Sequence, residues 1–226
     1  MDDEPVLPMK VLVFGATGAA GGSVLRACLD SPHVDEARAI VRRPLPVTHQ
    51  KLRIFIHRDF LDYDAVAEAF AGIDACFWCL GISVRQVAGE AEYRAITHDF
   101  ALAAARMLRR HSPAAAFHFI SGQGTRLDSR MMWARVKAET ERGLMDEVGA
   151  VCWRPAFIDG ATSDSAPRLY QAIRPAFRLL RGLRGMYVAG EDIGIAMIQA
   201  TRDGERGRII GNREIRAIAD GARGRR

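Results

Sequence analysis

Three glycines at a fixed spacing are the first residues of this chain that could do chemistry. The stretch Lys10–Gly22 reads KVLVFGATGAAGG, in which an apolar run passes directly into Gly15, Gly18 and Gly21 and then into a helical pattern. A strand–turn–helix of this kind presents backbone N–H groups and the positive end of a helix dipole, which together bind phosphate. The first glycine permits the tight turn, the second a close approach to phosphate, and the third close helix packing. The G-x-x-G-x-x-G spacing predicts a dinucleotide site; the alternative is a tight turn without a ligand.

Two arginines follow the second predicted strand. Arg42 and Arg43 stand in the sequence AIVRRP. An NAD-preferring site carries an acidic residue about 20 positions past the glycines, where it binds the 2′-hydroxyl of the adenine ribose. A carboxylate would repel a 2′-phosphate, whereas a guanidinium offers it paired, charge-assisted donors. The pair therefore predicts NADP(H) as the cofactor; the alternative is two solvated loop arginines.

The elements that must hold these residues alternate regularly along the chain. Apolar runs of strand length are separated by segments of helical periodicity, which predicts a parallel sheet covered by helices on both faces. The predicted strands are Lys10–Phe14, Ala37–Val41, Leu52–Ile56, Asp74–Leu80, Ala116–Ser121 and Ala150–Arg154, with a last edge strand at Arg208–Ile210. The predicted helices are Gly22–Leu29, a segment capped by Asp62 that ends at Phe70, Glu92–Arg110 and Arg130–Val148. The fold class is α/β, a single doubly wound parallel sheet of Rossmann type, which binds ligands at the carboxyl ends of its strands.

Length and composition fit one domain. The chain has 226 residues, of which 49% are hydrophobic and 26% charged, enough for a sizeable core. We expect residues 1–9 to be a flexible leader and residues 221–226 a disordered basic tail. Between them, residues 10–220 are expected to form the nucleotide-binding domain, whose C-terminal third shapes the substrate pocket. The acidic, proline-containing start does not read as a signal peptide, and no apolar run approaches the roughly 20 residues of a membrane span, which favours a cytoplasmic location.

The charge pattern does not predict a nucleic-acid partner. The formal net charge is +5, but only three of the 32 basic residues are lysines, and most arginines alternate with acids along helical faces. No metal is expected, because the histidines lack ligand spacing, and Cys76 and Cys79 lie inside an apolar strand without a second ligand pair. The four cysteines are interpreted as reduced, buried thiols. We expect a small-molecule substrate and leave a protein partner open.

A further apolar helix face is predicted in the C-terminal third. Its members recur at helical spacing and are Leu169, Ile173, Ala176, Phe177, Leu180 and Leu183. Three interpretations stay open: a packing helix with a solvated basic face, a lid that recruits an anionic substrate, or association with a membrane surface.

Several motifs together resemble the atypical short-chain dehydrogenase/reductases. They are TGAAGG after the first strand, RRP after the second, CLG after the fourth, and ISGQGT, WARVKAETE and WRPAFIDG further along. The chain resembles in particular the Tat-interacting-protein-like branch, NAD(P)H-binding relatives of sugar-nucleotide epimerases and dehydratases, from about Lys10 to Ile218. The resemblance implies an oxidoreductase or epimerase that uses hydride transfer on a small carbonyl or sugar-like substrate.

The resemblance also implies which residues contact the cofactor. The phosphate contacts would be made by Gly15, Thr17, Gly18, Ala19, Ala20, Gly21, Arg42 and Arg43. The ribose and nicotinamide contacts would be made by Leu80, Gly81, Lys137, Pro155, Phe157 and Ile158.

One position departs from the family pattern. The family's catalytic pair is Tyr-x-x-x-Lys on a helix with a serine upstream, whereas this chain has Trp133 and Lys137, with Ser121 upstream. The i, i+4 spacing still puts the pair on one helix face. An ammonium lowers the pKa of a neighbouring phenol, but an indole N–H only donates and has no accessible ionisation. The loss of a positioned general acid–base typically lowers the rate by about 10²–10⁴-fold.

Three interpretations of Trp133 stay open. In the first, the proton comes from Ser121, an ordered water, or a tyrosine such as Tyr93 or Tyr170. In the second, the protein binds NADP(H) without turnover and serves as a regulatory or scaffold protein. In the third, the match in register is wrong and the WARVK segment is an ordinary amphipathic helix.

Overall fold

Parallel strands form the centre of the protein. The computed structural model describes residues 8–159 and 186–224. The strands in this part of the chain are β1 (Met9–Phe14), β2 (Val34–Val41), β3 (Leu52–Ile56), β4 (Ala75–Trp78), β5 (Ala116–Ile120), β6 (Val151–Arg154), β7 (Phe157–Asp159), β8 (Tyr187–Ala189) and β9 (Ile209–Gly211). The main sheet has the order β3-β2-β1-β4-β5-β6-β9 with every described pairing parallel, and β7 pairs with β8 in a second, small parallel sheet.

Helices cover both faces of the main sheet. They are α1 (Ala19–Asp30), α2 (Glu90–Arg94), α3 (Phe100–His111), α4 (Met132–Val148), α5 (Gly190–Arg202) and α6 (Asn212–Gly224). A π-helical turn, Ala95–Asp99, joins α2 to α3, and short 3-10 helices lie at Asp64–Phe70 and Val84–Gln86.

Successive side chains of β1 enter two different cores. Val11 and Val13 belong to a buried cluster with residues of α1 and α5, whereas Leu12 and Phe14 belong to a second cluster with residues of α3 and α4. This alternation is what a strand with both faces covered requires. It confirms the predicted doubly wound α/β fold.

The strand order places a crevice at the carboxyl edge of the sheet. From β1 the chain first moves outward to β2 and β3, and then crosses back to β4 on the other side of β1. The loops after β1 and β4 therefore diverge, and in open α/β sheets ligands bind at this switch point. The residues after β1, β2, β4, β5 and β6 all lie along this one edge.

The predicted ends of the domain need correction. β1 begins at Met9, which is buried, so that residue is not part of a flexible leader. At the other end α6 continues to Gly224, and Arg223 Nη2 lies 2.6 Å from Asp192 Oδ1. Residues 221–224 are thus the last turn of a packed helix and not a disordered tail.

The segment after β3 also differs from its prediction. It is a 3-10 helix that begins at Asp64, and the Asp62 carboxylate accepts a hydrogen bond from the Asp64 N–H at 2.9 Å. The backbone of Val66 leaves helical geometry, with φ −129° and ψ 26°, as its side chain turns into the core with Phe70. Burial of these apolar side chains therefore overrides the α-helical pattern.

Cysteine placement follows the sequence prediction closely. Cys28, Cys76 and Cys152 are buried free thiols, and Cys79 is half-buried at the end of β4. Within residues 8–159 and 186–224, no helix combines the length and the apolar character needed to span a bilayer. The apolar helix predicted near residues 169–183 lies outside the described residues.

Candidate functional site

The turn between β1 and α1 can be built only with glycine at two positions. Gly15 has φ +73°, and a Cβ there would lie 2.6 Å from the backbone carbonyl of Cys79, which is a severe overlap. A Cβ on Gly21 would lie 2.1 Å from the Gly15 oxygen. The Gly18 N–H closes the turn by donating to that same Gly15 oxygen at 2.9 Å. The backbone is therefore packed as tightly as a phosphate-binding turn requires.

The N-terminus of α1 is open toward the carboxyl edge of the sheet. No side chain caps it, and its first turn contains no acidic residue. The N–H groups of Ala19, Ala20 and Gly21 have no partner inside an α-helix, because they belong to its first turn. Thr17 and Gly18 are exposed beside them. The uncapped N–H groups and the positive end of the helix dipole lie at the same place, and together they can bind an anion.

The two arginines lie at the same edge. β2 ends at Val41 next to β1, so Arg42 and Arg43 follow directly beside the glycine turn in the sheet. Both residues are exposed, and among the described residues neither guanidinium makes a hydrogen bond or an ion pair. Two guanidinium groups without carboxylate partners are available to a dianion.

The end of β4 closes the other side of the turn. The Cys79 N–H donates to the Phe14 carbonyl at 3.2 Å, and the Leu80 nitrogen would lie 2.7 Å from a Cβ on Gly15. Leu80 is half-buried against the core and Gly81 is exposed. The structure thus brings the Leu80 backbone to the glycine turn, and Gly81 follows it directly; their contact with a ribose stays a prediction.

Lys137 is anchored to the end of β5. Its Nζ donates to the Ser121 carbonyl at 2.7 Å and to the Ile120 carbonyl at 3.3 Å, and it lies 5.9 Å from the centre of the Phe119 ring. Burial lowers the pKa of the Lys137 ammonium to about 8, against the opposing effect of the Glu141 carboxylate. The ammonium is therefore a hydrogen-bond donor in a fixed position, and its burial disfavours the charged form.

Ser121 follows β5 but turns its hydroxyl aside. The side chain is buried, and its Oγ lies 3.1 Å from the Thr125 Oγ1. The backbone N–H of Ser121 donates to the Trp153 carbonyl at 2.7 Å, which ties the end of β5 to β6. The sequence pattern gave no sign of the Thr125 contact.

Trp133 lies over the loop that follows β5. A Cβ on Gly122 or Gly124 would lie 3.8 Å from the six-membered ring of the indole. Together they border a cavity of about 560 Å³, whose described wall consists of residues 122–124, Trp133, residues 155–157 and Met186. Lys137 contacts the Ser121 carbonyl, and Trp133 contacts the loop that follows Ser121, so the three residues lie in one region; their catalytic register stays a prediction.

The remaining predicted positions follow β6. Pro155 and Phe157 line the cavity with Trp133, and the Pro155 carbonyl accepts a hydrogen bond from the Gln123 N–H at 2.9 Å. Ile158 instead packs against the buried cluster that contains α1, and it is not part of the cavity wall.

Of the two tyrosines predicted as alternative proton donors, Tyr93 is among the described residues and Tyr170 is not. Tyr93 is buried, which raises the pKa of its phenol, and it does not line the cavity. Tyr170 lies outside the described residues. The geometry therefore gives Tyr93 no direct role at the cavity.

A family model matches the part of the chain that carries this geometry. Residues 15–135, more than half of the chain, match the model described as NAD(P)H-binding. The chain belongs to this NAD(P)H-binding family. The match begins at the first glycine of the turn and ends two residues past Trp133.

Individual relatives of this NAD(P)H-binding chain are similar over most of its length. The mitochondrial protein FMP52 of Saccharomyces cerevisiae is 27% identical over 160 residues, which are 70% of this chain and 69% of that protein. The Bordetella bronchiseptica enzyme WbmF, solved with NAD+, has a TM-score of 0.69 at 13% identity over 98% of this chain and 79% of that one. The Helicobacter pylori ADP-L-glycero-D-manno-heptose-6-epimerase also has a TM-score of 0.69, at 13% identity over 97% and 83%. The two structural similarities show that this chain shares its Rossmann fold with those proteins.

Sequence reasoning missed one residue that shapes this NAD(P)H-binding site. Asn212, the first residue of α6, is buried and accepts a hydrogen bond from the Ala156 N–H at 2.8 Å. Its amide donates to the Tyr187 carbonyl at 3.0 Å. The side chain thereby fixes the loop after β6 to β8. No local pattern could have found it, because the contact spans 56 positions of the chain.

Proposed function

We propose that this protein binds NADP(H) and is an oxidoreductase that acts on a carbonyl compound. The observation that carries the proposal is the pair of exposed arginines, Arg42 and Arg43, beside an uncapped glycine turn. The fit of a dinucleotide rests on the cradle itself, since a Cβ on Gly15 or Gly21 would fill it. When bound, the cofactor supplies the hydride.

The chain's own residues would divide the work of binding. The turn at Gly18 and the first N–H groups of α1 would hold the pyrophosphate. The two guanidinium groups would hold the 2′-phosphate, for which they provide planar, charge-assisted donors. Lys137, already fixed by two carbonyl groups, would donate to the nicotinamide ribose. Pro155 and Phe157 would exclude water from one side of the ring.

A second candidate function is a catalytically silent NADP(H)-binding protein with a regulatory or scaffold role. Trp133 favours it, because an indole cannot cycle a proton where the related enzymes use a phenol. Turnover separates the two candidates: both should bind NADPH, and only an enzyme should oxidise it in the presence of a panel of carbonyl compounds.

The coenzyme preference can be tested by removing the two guanidinium groups. We expect Arg42→Ala with Arg43→Ala to raise the Kd for NADPH by about 10- to 100-fold, because charge-assisted hydrogen bonds to the phosphate are lost. The Kd for NADH should change less than about threefold. Isothermal titration calorimetry with each coenzyme measures both values.

A matched control removes the same charge elsewhere. Arg106 and Arg142 are exposed and form ion pairs with carboxylates on the helical surface, so Arg106→Ala with Arg142→Ala should leave both Kd values unchanged. An equal loss of NADPH and NADH affinity in the Arg42 and Arg43 variant would refute the 2′-phosphate assignment.

The location of the protein stays a prediction. The sequence favours the cytoplasm, whereas the yeast relative is named as a mitochondrial protein. Fractionation of cells that express the full chain would decide between the two compartments.

A further inference from the structure

The cavity beside Trp133 is lined by apolar and aromatic groups. Trp133, Pro155, Phe157 and Met186 supply its side chains, and residues 122–124 supply mostly backbone. In the part of the wall that the structure describes, Gln123 is the polar side chain, and no side chain is ionisable. A carboxamide can hydrogen-bond to a substrate oxygen but does not give up a proton. This wall suits a flat, uncharged ligand.

The two proton-bearing residues of the predicted catalytic set are held by other groups, and the ionisable side chains of Arg213 and Glu214 line a neighbouring cavity that shares Gln123 and Met186 with this one. The Ser121 hydroxyl lies against Thr125, and the Lys137 ammonium donates to two carbonyl groups at the end of β5. Neither residue is part of the described cavity wall. In the part of the wall that the structure describes, a substrate therefore meets no side chain that could protonate a new alkoxide.

This lack of a donor restricts which carbonyl compounds could be reduced. Hydride addition to an isolated ketone produces an alkoxide, whose conjugate acid is about as weak an acid as water, so the reaction needs a positioned acid to protonate the oxygen as it forms. Hydride transfer to a quinone produces a hydroquinone monoanion, a phenolate whose conjugate acid has a pKa near that of tyrosine, about 10. A phenolate is stable enough to form before it is protonated, so a quinone can be reduced without an acidic side chain, and solvent protonates the anion afterwards.

We propose that the substrates of this site are planar quinones, and that Trp133 is the residue that selects them by stacking on the quinone ring. The inference rests on the proposed function, because it takes the hydride from NADPH. The hydride leaves C4 of the dihydronicotinamide with two electrons and forms an O–H bond on one quinone oxygen. The ring is reduced to the hydroquinone monoanion and the nicotinamide is oxidised to its cation. Water protonates the second oxygen, which completes the hydroquinone.

The surroundings of Trp133 favour stacking. Glycine at positions 122 and 124 adds no side chain over the indole, since a Cβ at either position would already be in van der Waals contact with the ring. An electron-rich indole and an electron-poor quinone prefer a face-to-face, offset arrangement. Trp133→Leu should therefore weaken quinone binding by about 3- to 10-fold.

Tryptophan fluorescence measures this contact without turnover. The chain has three tryptophans, and Trp78 and Trp153 are fully buried, so Trp133 is the one that a ligand in the cavity can reach. With NADP+ bound, 1,4-naphthoquinone should quench the wild-type emission with saturation and produce a long-wavelength charge-transfer absorption band. Trp133→Phe retains the two buried tryptophans and should lose both signals, which controls for absorption by the quinone itself.

Steady-state rates complete the test. With NADPH, the wild type should reduce 1,4-naphthoquinone at least 100-fold faster than acetophenone, an isolated aromatic ketone. Trp133→Tyr should raise the acetophenone rate by at least 10-fold, because it restores a phenol beside Lys137. Equal rates with the two substrates, or quinone quenching that survives in Trp133→Phe, would overturn the inference.

The proposed function and this inference fail in different ways. If calorimetry shows no NADPH binding to the folded wild type, the proposed function is refuted. If NADPH binds but either the Trp133-dependent quenching or the quinone preference is missing, the nucleotide site stands and the quinone assignment alone is refuted.

Discussion

Lys137 shows how one residue joins the sheet to the site. Its ammonium is held by the carbonyl groups of Ile120 and Ser121, so the end of β5 and helix α4 are linked at the point where a ribose would lie. Burial disfavours the charged form, and the pKa falls to about 8 from its ordinary value of 10.5. The Lys137 ammonium should therefore lose its proton near pH 8 in the folded protein.

Lys137 should make folding stability depend on pH in the alkaline range. Between pH 8 and 10.5 the unfolded chain retains the proton that the folded chain has released, so the free energy of unfolding should rise with pH across this window. Lys137→Met should lack this contribution to the slope. Urea denaturation at several pH values measures it, and NMR of lysine labelled with ¹³C at Cε would locate the titration directly.

The outcome that would contradict this prediction is a wild-type slope identical to that of Lys137→Met. The NMR experiment is simple to assign, because the chain contains three lysines and the signal of Lys137 is the one that the variant lacks.

Spacing predicted the positions of site residues better than it predicted their contacts. The i, i+4 pattern correctly put Trp133 and Lys137 on one helix, since helical geometry depends only on local periodicity. The Ser121 contact with Thr125 and the Asn212 contact with Ala156 depend on how loops fold back in three dimensions. Those contacts could not be read from the sequence.

Helices α1 and α5 pack at an unusually close distance. A Cβ on Gly194, in α5, would lie 2.6 Å from the Ala27 Cβ and 3.1 Å from the Val24 Cα, both in α1. Small residues on both helices let the two backbones approach. Because α1 carries the proposed phosphate-binding turn at its N-terminus, this contact also fixes the direction of the helix dipole at that turn.

Gly194→Ala should therefore push the two helices apart. We expect it to lower the free energy of unfolding by about 1–3 kcal/mol, the usual cost of overpacking a tight contact. The matched control is Gly221→Ala in α6, where an added Cβ would have no neighbour within 4 Å. That variant should be neutral or more stable by up to about 1 kcal/mol, because alanine favours a helix. Urea denaturation of both proteins checks the prediction, which fails if the two variants are equally stable.

The alternation of strands and helices was predictable, and their exact forms were not. Apolar runs bounded by glycine or charge identified the strands of the main sheet, including the edge strand β9. Local periodicity could not show that Val66 leaves helical geometry, or that a π-helical turn interrupts the helix before α3. It also could not show that an ion pair to Asp192 extends α6 to Gly224, because that contact joins two separate helices.

At the scale of the whole molecule, a buried histidine connects the sheet to α5. Trp153 Nε1 donates to His118 Nδ1 at 3.1 Å, so His118 carries its proton on Nε2 and donates to Thr201 Oγ1 at 3.0 Å. Thr201 in turn donates to the Met197 carbonyl at 2.9 Å. Hydrogen bonds among the three side chains therefore connect β5, β6 and α5. Burial lowers the pKa of His118 to about 3, which keeps the ring neutral.

His118 should make the protein sensitive to acid. Because the folded pKa of about 3 lies below the ordinary 6.5, the unfolded chain binds the proton first, and stability should fall as the pH drops from 6.5 toward 3. At pH 4 the loss from this one group is roughly 3 kcal/mol, taking about 1.4 kcal/mol for each unit of pKa difference.

The comparison of two variants isolates this effect. His118→Gln keeps polar atoms for Trp153 and Thr201 but does not titrate, so its stability should fall less than that of the wild type between pH 6.5 and 4. His111→Gln, at an exposed position at the end of α3, should follow the wild type. Chemical denaturation across this pH range provides the measurement, and parallel acid profiles for His118→Gln and the wild type would exclude the proposed role.

The placement of the four cysteines, three buried and Cys79 half-buried, has a practical consequence. Burial raises the pKa of the thiols of Cys28, Cys76, Cys79 and Cys152 well above its ordinary value, so few of them are present as the thiolate that maleimides attack. A single cysteine introduced at an exposed position, such as Gln123 at the rim of the cavity, should therefore accept a spin label or fluorophore selectively in the otherwise native chain. The mobility or the emission of that label could then show how the rim of the cavity changes when nucleotide and quinone bind.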